Sequence, residues 1–168
     1  MRYRTQIAVR YAETDRMGIA HHSVYPIWYE QARSEFVAAL GLPYSQMEEE
    51  GVLTPLSALE CRFKGSCTYE DRLCVEVWVE RLTPARVVFA YQIFKEGEKR
   101  PINTGSTTHG WTEPDLRPLN LKKRRPDIYQ LVLSAMEGEA ISVKRATPGG
   151  IIKMLCDYER KEGDPCIL

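Results

Sequence analysis

The stretch that decides the fold is His22-Ser-Val-Tyr-Pro-Ile-Trp-Tyr-Glu-Gln-Ala-Arg-Ser-Glu-Phe-Val-Ala-Ala-Leu40. Apolar residues recur in it every four positions, at Val24, Trp28, Ala32 and Phe36. This spacing predicts one long helix with a single apolar face. Proline is tolerated only in a first helical turn, so Pro26 places the helix start near His22 or Ser23. Gly41 and Pro43 then predict the helix end.

Beyond Gly51 the hydrophobic period changes from 3.6 to 2, which is typical of strands. Alternating or β-branched runs predict strands at Leu56–Phe63, Leu73–Glu80, Arg86–Lys95 and Ile102–Thr112, after an earlier strand at Thr5–Arg10. Ser45-Gln-Met-Glu48 matches a capping box, which predicts a short second helix. Pro126 suits the first position of a last helix at Asp127–Glu137.

The resulting order is one strand, a long helix, three or four strands joined by short turns, and a helix. Short turns make the strands antiparallel, and alternating βαβ units are absent, which argues against a doubly wound fold. We therefore predict an α+β domain in which one antiparallel sheet is wrapped around the central helix.

Composition excludes several classes of protein. The 168 residues carry 23 basic and 23 acidic side chains, and this neutrality argues against a broad nucleic-acid-binding face. No run approaches the roughly 18 apolar residues of a membrane span, and the N-terminus lacks a signal-peptide core, so we expect a cytoplasmic protein. Its five cysteines, an odd number without a CxxC motif, are expected to be free thiols. The adjacent His21 and His22 lack the spacing of a zinc pair.

The segment entering the long helix carries candidate chemistry, at Asp15, Gly18, His22 and Tyr25. A helix N-terminus offers unpaired N–H groups that can polarise a carbonyl. An aspartate just upstream could act on that carbonyl as nucleophile or general base, and Gly18 permits a tight turn. The residues alone leave a second interpretation open, in which Asp15 forms a turn and His22 merely begins the helix.

Two consecutive motifs carry a resemblance to a known family: Thr14-Asp15-x-x-Gly18-x-x-x-His22-x-x-Tyr25 and Tyr29-Glu30-x-Ala32-Arg33-x-Glu35. Together they resemble the hotdog-fold acyl-CoA thioesterases, of the 4-hydroxybenzoyl-CoA thioesterase type and its YbgC-like branch. The likeness continues through Gly41-Leu42-Pro43 and Gly105-Ser-Thr-Thr-His109, and it covers Tyr3 to Leu133.

The resemblance implies a thioesterase that releases a free acid and a thiol from an acyl-CoA or acyl-carrier-protein thioester, without metal or cofactor. It implies that Asp15 is the catalytic carboxylate and that the backbone N–H near His22 polarises the thioester carbonyl. The His22 ring could orient substrate or shuttle a proton. The resemblance also implies a homodimer or homotetramer with the site between subunits.

The resemblance ends with the last predicted helix. We therefore predict a thioesterase domain at 1–137 and a C-terminal extension of unknown role at 138–168. Two other functions stay open, a hotdog dehydratase or hydratase and a non-catalytic acyl-thioester-binding module.

Other residues have both a structural and a functional interpretation. Tyr25, Trp28 and Tyr29 could line an acyl pocket, or they could be core residues. Glu30 and Arg33 stand one helical turn apart and are expected to pair structurally. His109 is expected to pack within a strand. Lys122-Lys-Arg-Arg125 is either a solvated loop or an attractor for CoA phosphates or an acidic carrier protein.

Overall fold

The computed structural model describes residues 1–138 and contains one five-stranded sheet. Its strands are β1 (Tyr3–Ala8), β2 (Leu56–Phe63), β3 (Arg72–Leu82), β4 (Arg86–Lys95) and β5 (Asn103–Gly110). Their spatial order is β1-β3-β4-β5-β2, and every neighbouring pair is antiparallel. The predicted α+β class with an antiparallel sheet is therefore confirmed. The extension predicted at 138–168 lies outside the described residues except for Gly138, which caps the last helix with φ +81°.

Helix α1 (Tyr25–Ala39) lies against the sheet and buries one face, as its four-residue spacing predicts. It begins later than expected, because a separate 3-10 turn occupies His22–Val24. Pro26 has no N–H to bond back into that turn, which explains why the regular helix starts at Tyr25. Gly41 follows the helix with φ +84° and ends it in the predicted place.

One row of paired residues crosses the whole sheet beneath α1, through Tyr3, Val77, Tyr91, Gly105 and Cys61. The Tyr29 ring stacks on Tyr91 with ring centroids 4.2 Å apart. A Cβ at Gly105 would lie 2.8 Å from Cε2 of Tyr29, and closer still to its hydroxyl and to the Glu60 carbonyl oxygen. Glycine at this position therefore lets the helix approach the sheet.

Strand β2 lies at one edge of the sheet, and its only partner strand within residues 1–138 is β5. Nearly all of its residues are exposed, including the apolar side chains of Leu56, Leu59 and Phe63. Within residues 1–138, the alternating sequence of β2 therefore does not correspond to one buried and one solvated face.

Three further helices are short or terminal: α2 (Tyr44–Glu49), α3 (Leu121–Arg124) and α4 (Pro126–Glu137). The predicted capping box at Ser45–Glu48 is wrong, because the cap position is occupied by Pro43, two residues before Ser45, without a side-chain hydrogen bond. The loop interpretation of Lys122–Arg125 is also wrong. Asn120 caps this segment by accepting from the amide of Lys123, which allows a single helical turn.

Candidate active site

Asp15 lies in a tight loop that leads from β1 to the helix. Its amide donates to the carbonyl of Ile19 and its carbonyl accepts from Gly18, both at 2.9 Å. Its Oδ1 accepts from the amide of Met17 at 2.8 Å, which leaves Oδ2 without a hydrogen bond from residues 1–138. The side chain is half-buried. The loop thus presents one carboxylate oxygen that is available to a ligand.

Gly18 gives this loop its shape. Its φ is +77°, in the region that favours glycine, and the space where a Cβ would stand is open. An antiparallel bridge between Thr14 and Ala20 closes the base of the loop. The predicted turn role of Gly18 is confirmed, and a direct contact with substrate stays a prediction.

His22 opens the 3-10 turn that precedes α1 and is exposed. Its ring packs on that of His21, with centroids 4.0 Å apart. The His21 side chain accepts from the amide of Ser23, whereas no atom of the described residues accepts from the amide of His22. A free N–H therefore stands at the entrance of the helix, where the helix dipole adds partial positive charge.

The aromatic residues predicted to line a pocket are buried within the chain. Tyr25, Trp28 and Tyr29 are each at most 2% exposed. The Tyr25 hydroxyl lies 3.7 Å from Sγ of Cys67, and its ring meets that of the exposed Phe63 edge-on at 5.0 Å. Burial raises the pKa of both tyrosines, so these phenols are neutral and cannot serve as bases at physiological pH. Tyr25 thus adjoins an exposed side chain, that of Phe63.

The Tyr29 side chain packs into the sheet. Its hydroxyl donates a very short hydrogen bond to Oδ1 of Asn103, whose Nδ2 in turn donates to Sγ of Cys61. Asn103 is fully buried. This placement is that of a core residue whose polar atom is satisfied.

Glu13 is a buried carboxylate close to Asp15 in sequence that no sequence motif singles out. It is 5% exposed, and it accepts from the Arg10 amide, the Arg10 guanidinium and the Trp28 indole N–H, at 2.8, 2.7 and 3.1 Å. Its position two residues before Asp15 is the one feature of the sequence that could have drawn attention to it. The burial of its carboxylate cannot be inferred from that spacing.

Arg33 and His109 form a second buried polar cluster. Arg33 donates to Nε2 of His109 at 2.6 Å and forms no ion pair with Glu30 within the described chain, so the predicted helical pair is wrong. Nδ1 of His109 lies 3.0 Å from the carbonyl oxygen of Thr54, which assigns the proton to that nitrogen. Burial and the Arg33 charge lower the pKa of His109 to about 4, and the neutral ring packs on Phe89 as expected.

The basic run is partly neutralised. Arg125 pairs with Glu50 and with Asp127, at 2.6 Å each, and only Lys122, Lys123 and Arg124 remain exposed. Residues 1–138 contain no cluster of three or more His, Cys, Asp or Glu side chains suited to a metal ion. Cys61, Cys67 and Cys74 form no disulfide within the described part of the chain, and no described helix is long and apolar enough to cross a membrane.

The chain is similar in sequence to known thioesterases. The sequence profile of the Thioesterase superfamily matches residues 17–102, a range that begins two residues after Asp15. The chain is 33% identical over 122 residues to the putative acyl-CoA thioesterase YneP of Bacillus subtilis (strain 168), covering 73% of this chain and 88% of that protein. It is 24% identical over 119 residues to the acyl-acyl carrier protein thioesterase ATL3 of Arabidopsis thaliana, covering 71% and 63%.

A solved structure shares both the fold and part of the sequence. The DHNA-CoA thioesterase of Staphylococcus aureus superposes with a TM-score of 0.75 at 34% identity, covering 83% of this chain and 97% of that one. The sheet and its central helix therefore have the hotdog-type arrangement of that enzyme.

Proposed function

The chain belongs to the thioesterase superfamily, and on that premise we propose that it hydrolyses an acyl-CoA thioester to a free acid and coenzyme A. In this reaction water adds its oxygen to the carbonyl carbon, the carbon–sulfur bond breaks, and the thiol leaves with a proton. Asp15 acts as nucleophile or general base, and the amide of His22 polarises the carbonyl oxygen.

The observation that carries this proposal is a carboxylate with one free oxygen in the loop that leads into a free helix-entrance amide. Asp15 supplies the oxygen and His22 the N–H. Backbone hydrogen bonds hold Asp15 to Ile19 and hold His21, directly before His22, to Glu13. An anchored donor stabilises the charge that develops on the carbonyl oxygen without reorganising during the reaction. His22 and Phe63 are exposed and Asp15 is half-buried, which gives a substrate access from solvent.

The test is Asp15→Asn, because asparagine can still accept from the amide of Met17 and so preserves the turn. We expect thioester turnover to fall by about 10²–10⁴-fold, as for loss of a general base. Asp115→Asn is the matched control. Like Asp15, Asp115 accepts from the amide of the residue two positions later, here Arg117 at 3.2 Å, but it lies in an exposed loop. Equal turnover in Asp15→Asn and wild type would refute the role of Asp15.

A thiol-release assay over an acyl-CoA panel defines the substrate. The panel includes 1,4-dihydroxy-2-naphthoyl-CoA, the substrate named for the staphylococcal relative, together with aliphatic thioesters of several lengths. Acyl-carrier-protein thioesters form a second arm, because ATL3 is named for them. Turnover confined to that arm would assign a protein-bound donor. Hydration of an enoyl thioester without hydrolysis would assign a dehydratase, and binding without either reaction would assign a binding module.

A second copy of the chain is the proposed partner of β2. An exposed, apolar and unpaired edge is a template for another strand, and β2 carries neither proline nor lysine to block it. Antiparallel pairing centred on Cys61 would set Glu60 of one copy opposite Arg62 of the other, and Leu59 opposite Phe63. Such a pairing would close the sheet edge beside Phe63 and Tyr25.

Charge reversal tests this pairing. Glu60→Arg places like charges across the two-fold axis, and we expect the dimer to dissociate about tenfold more readily. The double variant Glu60→Arg/Arg62→Glu restores opposite charges and should restore the dimer. Light scattering across a dilution series measures both. A monomeric wild type, or no effect of the single reversal, would contradict the pairing.

A further inference from the structure

Glu13 lies at a junction between the segment that follows β1 and helix α1. Its Oε2 accepts from the amide of Arg10, two residues after the end of β1. Its Oε1 accepts from the Arg10 guanidinium and also from the indole N–H of Trp28, in the first turn of α1, at 3.1 Å. One buried carboxylate thus links the segment after β1 to the helix.

The backbone of Glu13 closes the same junction. Its carbonyl oxygen accepts from the amide of His21 at 2.8 Å, directly before the helix entrance. The loop between these two residues contains Asp15 and is closed at its base by the Thr14–Ala20 bridge. Any movement of Glu13 relative to α1 is therefore passed to both ends of that loop.

The charge of Glu13 makes this junction rigid. Burial alone would raise the pKa of its carboxyl, but the hydrogen bonds from Arg10 and Trp28 outweigh it and lower the pKa, so the group stays ionised. Hydrogen bonds to an ionised acceptor are about twice as strong as neutral ones and fix direction as well as distance.

We propose that Glu13 is a positioning residue, which holds the Asp15 loop at a fixed place relative to the N-terminus of α1. This inference rests on the proposed role of Asp15 in catalysis. A displacement of about 1 Å between reacting groups can cost about a hundredfold in rate, so the anchor affects turnover without touching substrate.

The variant Glu13→Gln tests the proposal, because its amide nitrogen must replace one carboxylate oxygen. It therefore breaks either the hydrogen bond from the Arg10 amide or those from the Arg10 guanidinium and the Trp28 indole. Glu76→Gln is the matched control. Glu76 is equally buried, with 5% of its side chain exposed, and it accepts from Arg2 and Arg4, both at 2.9 Å, on the strand β3. Both variants remove a buried, arginine-paired carboxylate, and only the first lies at the Asp15 loop.

Two readouts separate positioning from stability. We expect Glu13→Gln to lower kcat about 10- to 100-fold with KM nearly unchanged, whereas Glu76→Gln keeps kcat within about twofold. Amide hydrogen exchange over 14–22 should become about tenfold faster in Glu13→Gln and stay unchanged in Glu76→Gln. Trp28→Phe removes the other end of the bridge and should accelerate the same amides, with no further increase in the double variant.

The proposal is overturned if Glu13→Gln reduces kcat no more than Glu76→Gln does, or if exchange over 14–22 is unaffected. Failure of the proposed function has a different signature. A wild type that cleaves no thioester would remove the role of Asp15, while the exchange rates would still decide whether Glu13 anchors the loop.

Discussion

Replacing Gly105 with alanine should destabilise the protein more than any ordinary glycine-to-alanine change. The new Cβ would overlap the Tyr29 side chain and the backbone carbonyl of Glu60. Neither can withdraw cheaply, because Tyr29 is clamped between Tyr91 and Asn103 and the carbonyl belongs to β2 in its ladder with β5.

The cost follows from this geometry. Overpacking a close-packed core costs about 1–3 kcal/mol, and two immobile neighbours place Gly105→Ala near about 3 kcal/mol. For a chain of this size each kcal/mol lowers Tm by about 2–4 °C, so a decrease of about 6–12 °C is expected.

Gly110→Ala is the control on the same strand, since a Cβ there meets nothing within 4 Å. Urea denaturation gives the free energy of unfolding for both variants, and exchange of the β2 amides shows whether that strand has moved away. A loss of less than about 1 kcal/mol in Gly105→Ala, or a loss equal to that of Gly110→Ala, would refute the packing argument.

Two further predictions concern pH and the Asp15 loop. The pKa of His109 falls from about 6.5 unfolded to about 4 folded, so the folded state binds fewer protons between these values. Acidification from pH 7 to 4.5 should therefore lower the free energy of unfolding of the wild type by about 2–3 kcal/mol more than that of His109→Gln. An equal loss in the two proteins, measured by urea denaturation at both pH values, would contradict this. Gly18→Ala should cost about 1 kcal/mol and lower kcat, while Gly97→Ala, with φ +80° and equally open space, should cost the same without lowering kcat. An unchanged kcat in Gly18→Ala would argue against the loop's role.

Local sequence signals predicted the elements whose causes are local. The four-residue apolar spacing up to Phe36 predicts α1, and the glycine at 41 predicts where α1 ends. Both agree with the structure, in which Gly41 has a positive φ. The capping pattern at Ser45 was misleading because Pro43, just outside the pattern, already starts the helix. The exposure of β2 could not be predicted, since an edge strand and an internal strand can share one alternating sequence.

In the candidate site, too, the features with local causes could be predicted and those that depend on distant residues could not. The Asp15 turn, with its glycine and the helix start that follows, depends on neighbours within a few residues and could be predicted. Glu13 was missed because its burial requires Trp28, fifteen positions away. Arg33 was misassigned to Glu30 because its actual partner, His109, is 76 positions distant in sequence.

The order of the strands also bears on how the chain folds during synthesis. The two earliest strands, β1 and β2, lie at the outer edges of the sheet, and each must wait for a later strand. Strand β2 is complete at Phe63, but its partner β5 begins only at Asn103. Until that segment leaves the ribosome, Leu56 and Leu59 have no in-chain partner strand, and unpaired apolar strands of this kind are where nascent chains aggregate and chaperones bind. The strand most exposed in the finished molecule is thus paired only when the last strand of the sheet has been made.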